Sequence, residues 1–247
     1  MNILITGSNG QLGYEIKCLK DHYKNLNFFF CDRVSLDICN RNHVDAYIDK
    51  KKINVVINCA AYTNVDKAES NQKEANLINH VALKEIARIS KNKKMKLIHI
   101  STDFVFNGFK DKPYIESDFT SPLNIYGESK LAGELAITST MKSNAIIIRT
   151  SWLYSSFGNN FVNTILNLAD KNNTLNIVAD QIGTPTYAHD LAQSILFILC
   201  NEKFIQPNRP SEILHFSNKG ESSWYEFASE IIRILGINCQ LNPINTE

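Results

Sequence analysis

The sequence predicts an α/β fold of the Rossmann type: a doubly wound parallel sheet followed by a smaller C-terminal substrate lobe. Three observations carry that expectation. A glycine turn follows an N-terminal apolar strand, apolar runs alternate with helical patterns, and the strand-like runs are continuously apolar. Strands buried on both faces read this way, as they do in a parallel sheet covered by helices.

Strands are expected at 3–6, 26–31, 55–59, 97–101 and 145–149. Between them Ile78, Ala82, Ile86 and Ile89 fall on one helical stripe, and 126–138 is rich in good helix formers. Right-handed crossovers then put helices on both faces and ligands at the carboxyl ends of the strands. After about Ser151 the pattern changes. Segments 161–169, 189–200 and 223–235 look helical, and the strands between them are short. A dinucleotide-binding domain over 1–150 and a mainly substrate-binding lobe over 151–247 are expected, with late segments free to return to the main sheet.

Composition excludes several classes. The 247 residues are 44% apolar, enough for a substantial core, and 26 Lys plus Arg nearly balance 25 Asp plus Glu. With no long basic run, neither a nucleic-acid partner nor a membrane surface is expected. Six scattered cysteines form no metal-type pairs, which suits reduced thiols in a cytoplasmic protein without zinc. No stretch of eighteen apolar residues and no secretory pattern is present, so neither a membrane span nor a signal peptide is expected.

Gly7, Gly10 and Gly13 follow the first strand and open the first helix. There the backbone can approach a pyrophosphate at the positive helix end. Their GxxGxxG spacing differs from GxGxxG, and the placement after a strand is what marks a dinucleotide site, with Asn9, Gln11 and Leu12 as its intervening residues. The second strand ends at Asp32-Arg33, an acid suited to a ribose hydroxyl beside a base suited to a 2′-phosphate, so NADPH and NADH both remain open. Asp37 lies close to adenine, with Ile38 beside it, or else caps a helix. After the third strand, Ala60 and Ala61 let a cofactor lie against the backbone, flanked by Cys59 and Tyr62. Asp66 and Glu69 read first as charge balance for the following helix.

Thr102, with Ser101 as its competitor, ends the fourth strand where a hydroxyl could bind a carbonyl oxygen. Tyr126 and Lys130 share one helix face. Proton transfer by the phenol favours a pKa nearer neutrality than its usual 10, and an adjacent ammonium is expected to push it that way while also reaching a cofactor ribose.

These residues resemble an extended short-chain dehydrogenase/reductase. Further strings, Leu36-Asp-Ile38, Asn58 to Thr63, Val65 to Glu69, Ser101 to Phe106, Arg149-Thr-Ser-Trp152 and Asp180 to Thr186, narrow the resemblance to the dTDP-4-dehydrorhamnose reductase family over nearly the whole chain. The resemblance implies catalysis by Thr102, Tyr126 and Lys130, with NADPH or NADH reducing C4 of a dTDP-linked deoxysugar for surface polysaccharide synthesis. It also implies substrate contacts from Thr63, Val65, Thr102, Asp103, Tyr126, Trp152 and Asn160, with the 181–186 turn as a wall. Some members of the family form homodimers with Mg2+ at acidic contacts; no metal ligand is assigned here. Members normally continue beyond the segment matching Gln240 to Thr246 with an Arg-Pro tail. Two rival readings are a reductase of another nucleotide-linked 4-keto-6-deoxy sugar and a non-catalytic NADP-binding regulatory subunit.

Overall fold

The computed structural model describes residues 1–246. The first part runs β1 (Asn2–Thr6), α1 (Gln11–Leu19), β2 (Asn27–Cys31), α2 (Arg41–Lys51), β3 (Val55–Asn58), α3 (Val65–Ser70), α4 (Gln72–Asn76), α5 (Leu83–Asn92), β4 (Lys96–Thr102), α6 (Ile125–Thr140) and β5 (Ala145–Thr150). A turn of π-helix, Leu77–Ala82, joins α4 to α5, and a 3-10 turn, Asp103–Val105, follows β4. All five strands form within one residue of the apolar runs that predict them.

The second part runs β6 (Leu153–Tyr154), α7 (Phe161–Ala169), β7 (Thr174–Val178), β8 (Ile182–Gly183), β9 (Thr186–Tyr187), α8 (Ala188–Cys200), α9 (Glu202–Ile205), β10 (Glu212–His215), β11 (Ser222–Ser223), α10 (Trp224–Leu235) and β12 (Gln240–Ile244). Strand β10 returns to the main sheet and pairs with β5, giving six parallel strands in the order β10-β5-β4-β3-β1-β2. Order reverses between β1 and β3, and a ligand crevice opens at such a switch point.

Helices cover both faces. Ile16 of α1 and Leu191 and Ile195 of α8 pack on Ile3, Ile57 and Ile146, while Ile48 of α2, Ile86 of α5 and Ile137 of α6 pack on Leu4, Val56 and Leu97. Alternate residues of one strand thus serve opposite cores, and no face is left to be polar. Each fully buried Leu or Ile contributes about 1.5–3 kcal/mol of transfer free energy, so these two layers dominate the stability. Helix α8 belongs by its packing to the main sheet although it lies beyond residue 151. A separate small core joins Ile165 of α7, Ile177 of β7, Ile231 of α10 and Leu241 of β12. Its helix α10 opens with a reciprocal cap between Ser223 and Glu226 and ends at Gly236, whose φ of 62° suits glycine.

Helix α6 sits unusually close to its neighbours. Asn124 caps its first turn by accepting from the Gly127 amide at 2.8 Å, and Glu69 accepts from the Ile125 amide at 2.9 Å. A methyl group at Gly127 would overlap the Phe104 carbonyl, and one at Gly133 would overlap the Asn79 carbonyl. The two glycines therefore let α6 press against the 3-10 turn and the π-turn. This close approach fixes where the helix presents Tyr126 and Lys130.

Candidate active site

A cavity of about 1230 Å³ runs along the carboxyl ends of the parallel strands. A single drug-sized ligand typically occupies roughly 300–1,000 Å³, so the cavity has room for a dinucleotide with a second molecule beside it. Gly7 has φ 66°, and a Cβ on it would lie 2.6 Å from the Ala60 nitrogen, so only glycine lets β1 turn beside the segment after β3. Helix α1 starts at this turn with no side-chain cap and no acid in its first turn, leaving its amide groups facing the cavity.

Asp32 is tied down at the other end of the glycine turn. Its carboxylate accepts from the Asn9 amide at 2.8 Å and the Ser35 hydroxyl at 2.7 Å, and the Ser35 bonds hold it below the usual carboxylate range. Arg33 is 81% exposed, with one loose contact to Glu74 at 3.5 Å. Asp37 is not the cap of α2: its carboxylate accepts from Cys39 N in a local turn, and Asn40 caps the helix instead. Cys59 is half-buried on the cavity wall, and desolvation pushes its thiol up to about 12, so it is an inert wall rather than a nucleophile.

Thr102, Asp103, Tyr126 and Lys130 all line the cavity, as do Thr63, Val65 and Trp152. Thr102 bonds the Asp103 carboxylate at 3.0 Å and lies against the Tyr126 hydroxyl. Burial raises Asp103 to about 6 and Tyr126 to about 12. The expected lowering of Tyr126 by Lys130 is therefore not met in this arrangement. Desolvation outweighs the lowering by the Thr102 hydrogen bond, the Asp103 carboxylate adds to the rise, and the Lys130 ammonium is turned to the Ile100 carbonyl, to which it donates at 2.7 Å, beside the His99 ring at 3.3 Å. Burial in turn lowers Lys130 to about 8. A phenol kept protonated is the form able to give a proton away.

Asn160 stands apart from the other expected site residues, because it does not line the cavity. Its amide donates to Gln11 Oε1 at 3.0 Å and to the Ser155 carbonyl at 2.8 Å, while its oxygen caps α7 through Asn163 N. With every polar atom engaged, it braces the glycine turn against the small lobe. Trp152, with φ 46°, stacks on Trp224 at 3.4 Å between ring centroids, so the wall it forms is backed by α10. Asp66 and Glu69 do not line the cavity: Asn64 rather than Asp66 caps α3, and Glu69 anchors α6.

Sequence reasoning passed over several residues. Asn79, in the π-turn, grips both the amide and the carbonyl of Tyr62 at 2.8 and 3.0 Å and donates to Ser129 at 2.9 Å. Periodicity gives no sign of a π-turn. His99 was detectable as a ring with polar atoms inside an otherwise apolar strand. Thr150 Oγ1, like the Oγ of Ser101 weighed above, is buried beside the cavity with no hydrogen-bond partner among the described residues. Among the described residues no group of three or more His, Cys, Asp or Glu gathers as a metal site, and no helix is long and apolar enough to cross a membrane. All six cysteines are free.

A family model described as the RmlD substrate binding domain matches residues 1–247. The chain is 38% identical to a dTDP-4-dehydrorhamnose reductase of Sinorhizobium fredii, over 95% of this chain and 78% of the relative. It is 36% identical to a dTDP-4-keto-6-deoxy-D-glucose reductase of Streptomyces niveus, over 94% of this chain and 78% of that one. It also superposes on the crystal structure of a dTDP-4-dehydrorhamnose reductase from Bacillus anthracis in complex with NADP. There the TM-score is 0.92, with 36% identity over 99% of this chain and 84% of the other. The glycine turn, the strand-end threonine and the Tyr126–Lys130 pair thus stand in a chain that belongs to the dTDP-4-dehydrorhamnose reductase family.

Proposed function

We propose that the chain reduces the C4 ketone of dTDP-4-dehydro-L-rhamnose to dTDP-L-rhamnose, using a reduced nicotinamide cofactor. The observation that carries this reading is the convergence of Thr102, Tyr126 and Lys130 on the cavity that also holds the uncapped start of α1. The residues present fit a dinucleotide: amide groups for a pyrophosphate, with Ala60 and Ala61 along its path. When bound, the nicotinamide supplies the hydride. Thr102 and Tyr126 hold the ketone oxygen, and the Tyr126 phenol gives its proton to that oxygen as negative charge develops. Lys130 sits one helical turn on, where an ammonium can stabilise the phenolate left behind.

The exposed Arg33 supports NADPH as the form used, since the Asp32 carboxylate beside it is already engaged by Asn9 and Ser35. The small lobe around α7 and α10 supplies the substrate wall through Trp152. Six free thiols suit the reducing cytoplasm. The test supplies the sugar nucleotide with NADPH or NADH, follows loss of the reduced nicotinamide, and determines product stereochemistry by NMR. No turnover with any 4-keto-6-deoxy sugar nucleotide rejects the assignment. Faster turnover of the D-glucose-derived ketone favours the second reading, the activity carried in the name of the Streptomyces relative.

A further inference from the structure

Behind Lys130 lies a buried polar chain that the proposed reaction does not use. Thr6 of β1 donates to Asn58 Oδ1 at 2.6 Å, the Asn58 amide nitrogen is 3.0 Å from His99 Nδ1, and His99 Nε2 is 3.3 Å from Lys130 Nζ. Thr6, Asn58, His99 and Lys130 are each no more than 2% exposed. Water does not settle the protonation of such a chain; its geometry does.

The orientation of the Asn58 amide decides the rest. Its nitrogen also faces the Ala60 carbonyl at 3.3 Å, and a carbonyl can only accept. The nitrogen must therefore be on the side of Ala60 and His99, so Nδ1 accepts and the neutral ring carries its proton on Nε2. An N–H there cannot accept from an ammonium, but it can donate to an amine. The Asn58 main-chain carbonyl also faces the ring and favours a proton on it; only the amide makes a hydrogen bond of good geometry to Nδ1.

We propose that His99 is a positioning residue: Asn58 holds it as the Nε2–H tautomer, and this N–H donates to the neutral amine of Lys130 and eases loss of the Lys130 proton. The inference rests on Lys130 belonging to the reductase site. Burial and the neighbouring ammonium both drive His99 well below its ordinary pKa, so it is neutral while Lys130 titrates. The other groups that face Lys130 are accounted for. Glu134 on α6 favours the ammonium and is itself gripped by Arg149 of β5; Cys59 after β3 is a neutral thiol. Tyr126, one turn away on α6, is protonated, and Asp103, which accepts from Thr102, acts on Tyr126 and is not among the groups acting on Lys130.

The test uses the full chain with 15N-labelled histidine, with and without NADPH, read by NMR from pH 6 to 9. The His99→Gln variant identifies the resonance. A bare Nδ1 and a protonated Nε2 throughout are expected, with the Nε2 signal moving as Lys130 titrates. A proton on Nδ1, or an imidazolium above pH 6, overturns the inference. A second readout is the Lys130 side-chain titration in Asn58→Asp, a near-isosteric change that puts the proton on Nδ1 and lets Nε2 accept from the ammonium. Lys130 should then hold its proton at least fivefold more tightly, the equivalent of one hydrogen bond of about 1 kcal/mol, with the charge of the new carboxylate adding in the same sense, so the shift counts for the inference only together with a proton found on Nδ1 in this variant; an unchanged titration, or a bare Nδ1 in the variant, overturns the inference as well. Neither readout needs turnover. An inactive chain with the Nε2–H tautomer would sink the reductase reading alone, and an active chain with the other tautomer would sink this one.

Discussion

Gly7→Ala and Gly10→Ala separate the fold from the cofactor site. At Gly7 the new methyl group meets two penalties. A residue with φ 66° in the left-handed region costs about 1–2 kcal/mol outside glycine, and a Cβ 2.6 Å from the Ala60 nitrogen forces backbone to move, at about 1–3 kcal/mol more. The sum is about 2–5 kcal/mol. For a chain of this size each kcal/mol shifts Tm by roughly 2–4 °C, so the variant should melt roughly 4–20 °C below the parent. At Gly10, φ is −81° and the nearest atom to a Cβ is the Gly7 carbonyl oxygen at 3.3 Å. Its Tm should stay within about 2 °C, while the methyl group intrudes where a pyrophosphate must come close. An affinity loss of about tenfold is expected there, the worth of one charge-assisted hydrogen bond. Thermal melts followed by circular dichroism, with cofactor titration by calorimetry, provide both readouts. Parental melting of Gly7→Ala, or an equally large drop for Gly10→Ala, would refute the reasoning.

Three further outcomes follow from the site. Tyr126→Phe should bind cofactor normally and turn over at least about a hundredfold more slowly, since only the acid is lost; near-parental single-turnover rates would remove the phenol from the mechanism. Folded Asp103 keeps a proton up to about pH 6 that the unfolded chain releases near its usual 3.8, so stability falls as pH rises through that window. Asp103→Asn should therefore be more stable than the parent at pH 7 by up to about 3 kcal/mol, with the gap closing below pH 4; urea titrations at both values check it. Glu134→Gln strips the charged partner from Arg149, which is 5% exposed and held by three guanidinium bonds of 2.7, 3.0 and 3.2 Å. A loss of about 3–5 kcal/mol is expected, and a parental urea midpoint would mean that the pair is not buried in solution.

The strands were legible because burial on both faces leaves a pattern that no surface segment imitates, and Ile3 to Ile5 or Ile146 to Ile148 carry it with little interruption. Tyr126 and Lys130 were legible because four residues make about one helical turn. Two things were not. The ionisation of Tyr126 depends on how deeply Phe104 and α6 enclose it, a distance set by Gly127 and Gly133 rather than by the spacing of Tyr and Lys. The bracing role of Asn160 was hidden for a related reason. Its amide is claimed by Gln11, a residue 149 positions earlier, and no local pattern reveals a partner that distant. The return of β10 to the edge of the sheet was legible only in outline, because Glu212 to His215 is short and half-exposed on that edge.

The Gln11–Asn160 contact sets a rule for how such chains can diverge. Gln11 belongs to the turn that opens α1, and Asn160 begins the helix that leads the small lobe. An exchange at one position removes the bond that joins them, leaving Asn160 only nearby carbonyls such as that of Ser155, or Gln11 only the Leu153 carbonyl, so the two should drift as a pair. A lobe grafted from a cousin with a different residue at 160 would arrive without its hinge pin, whatever sugar it had been shaped to hold.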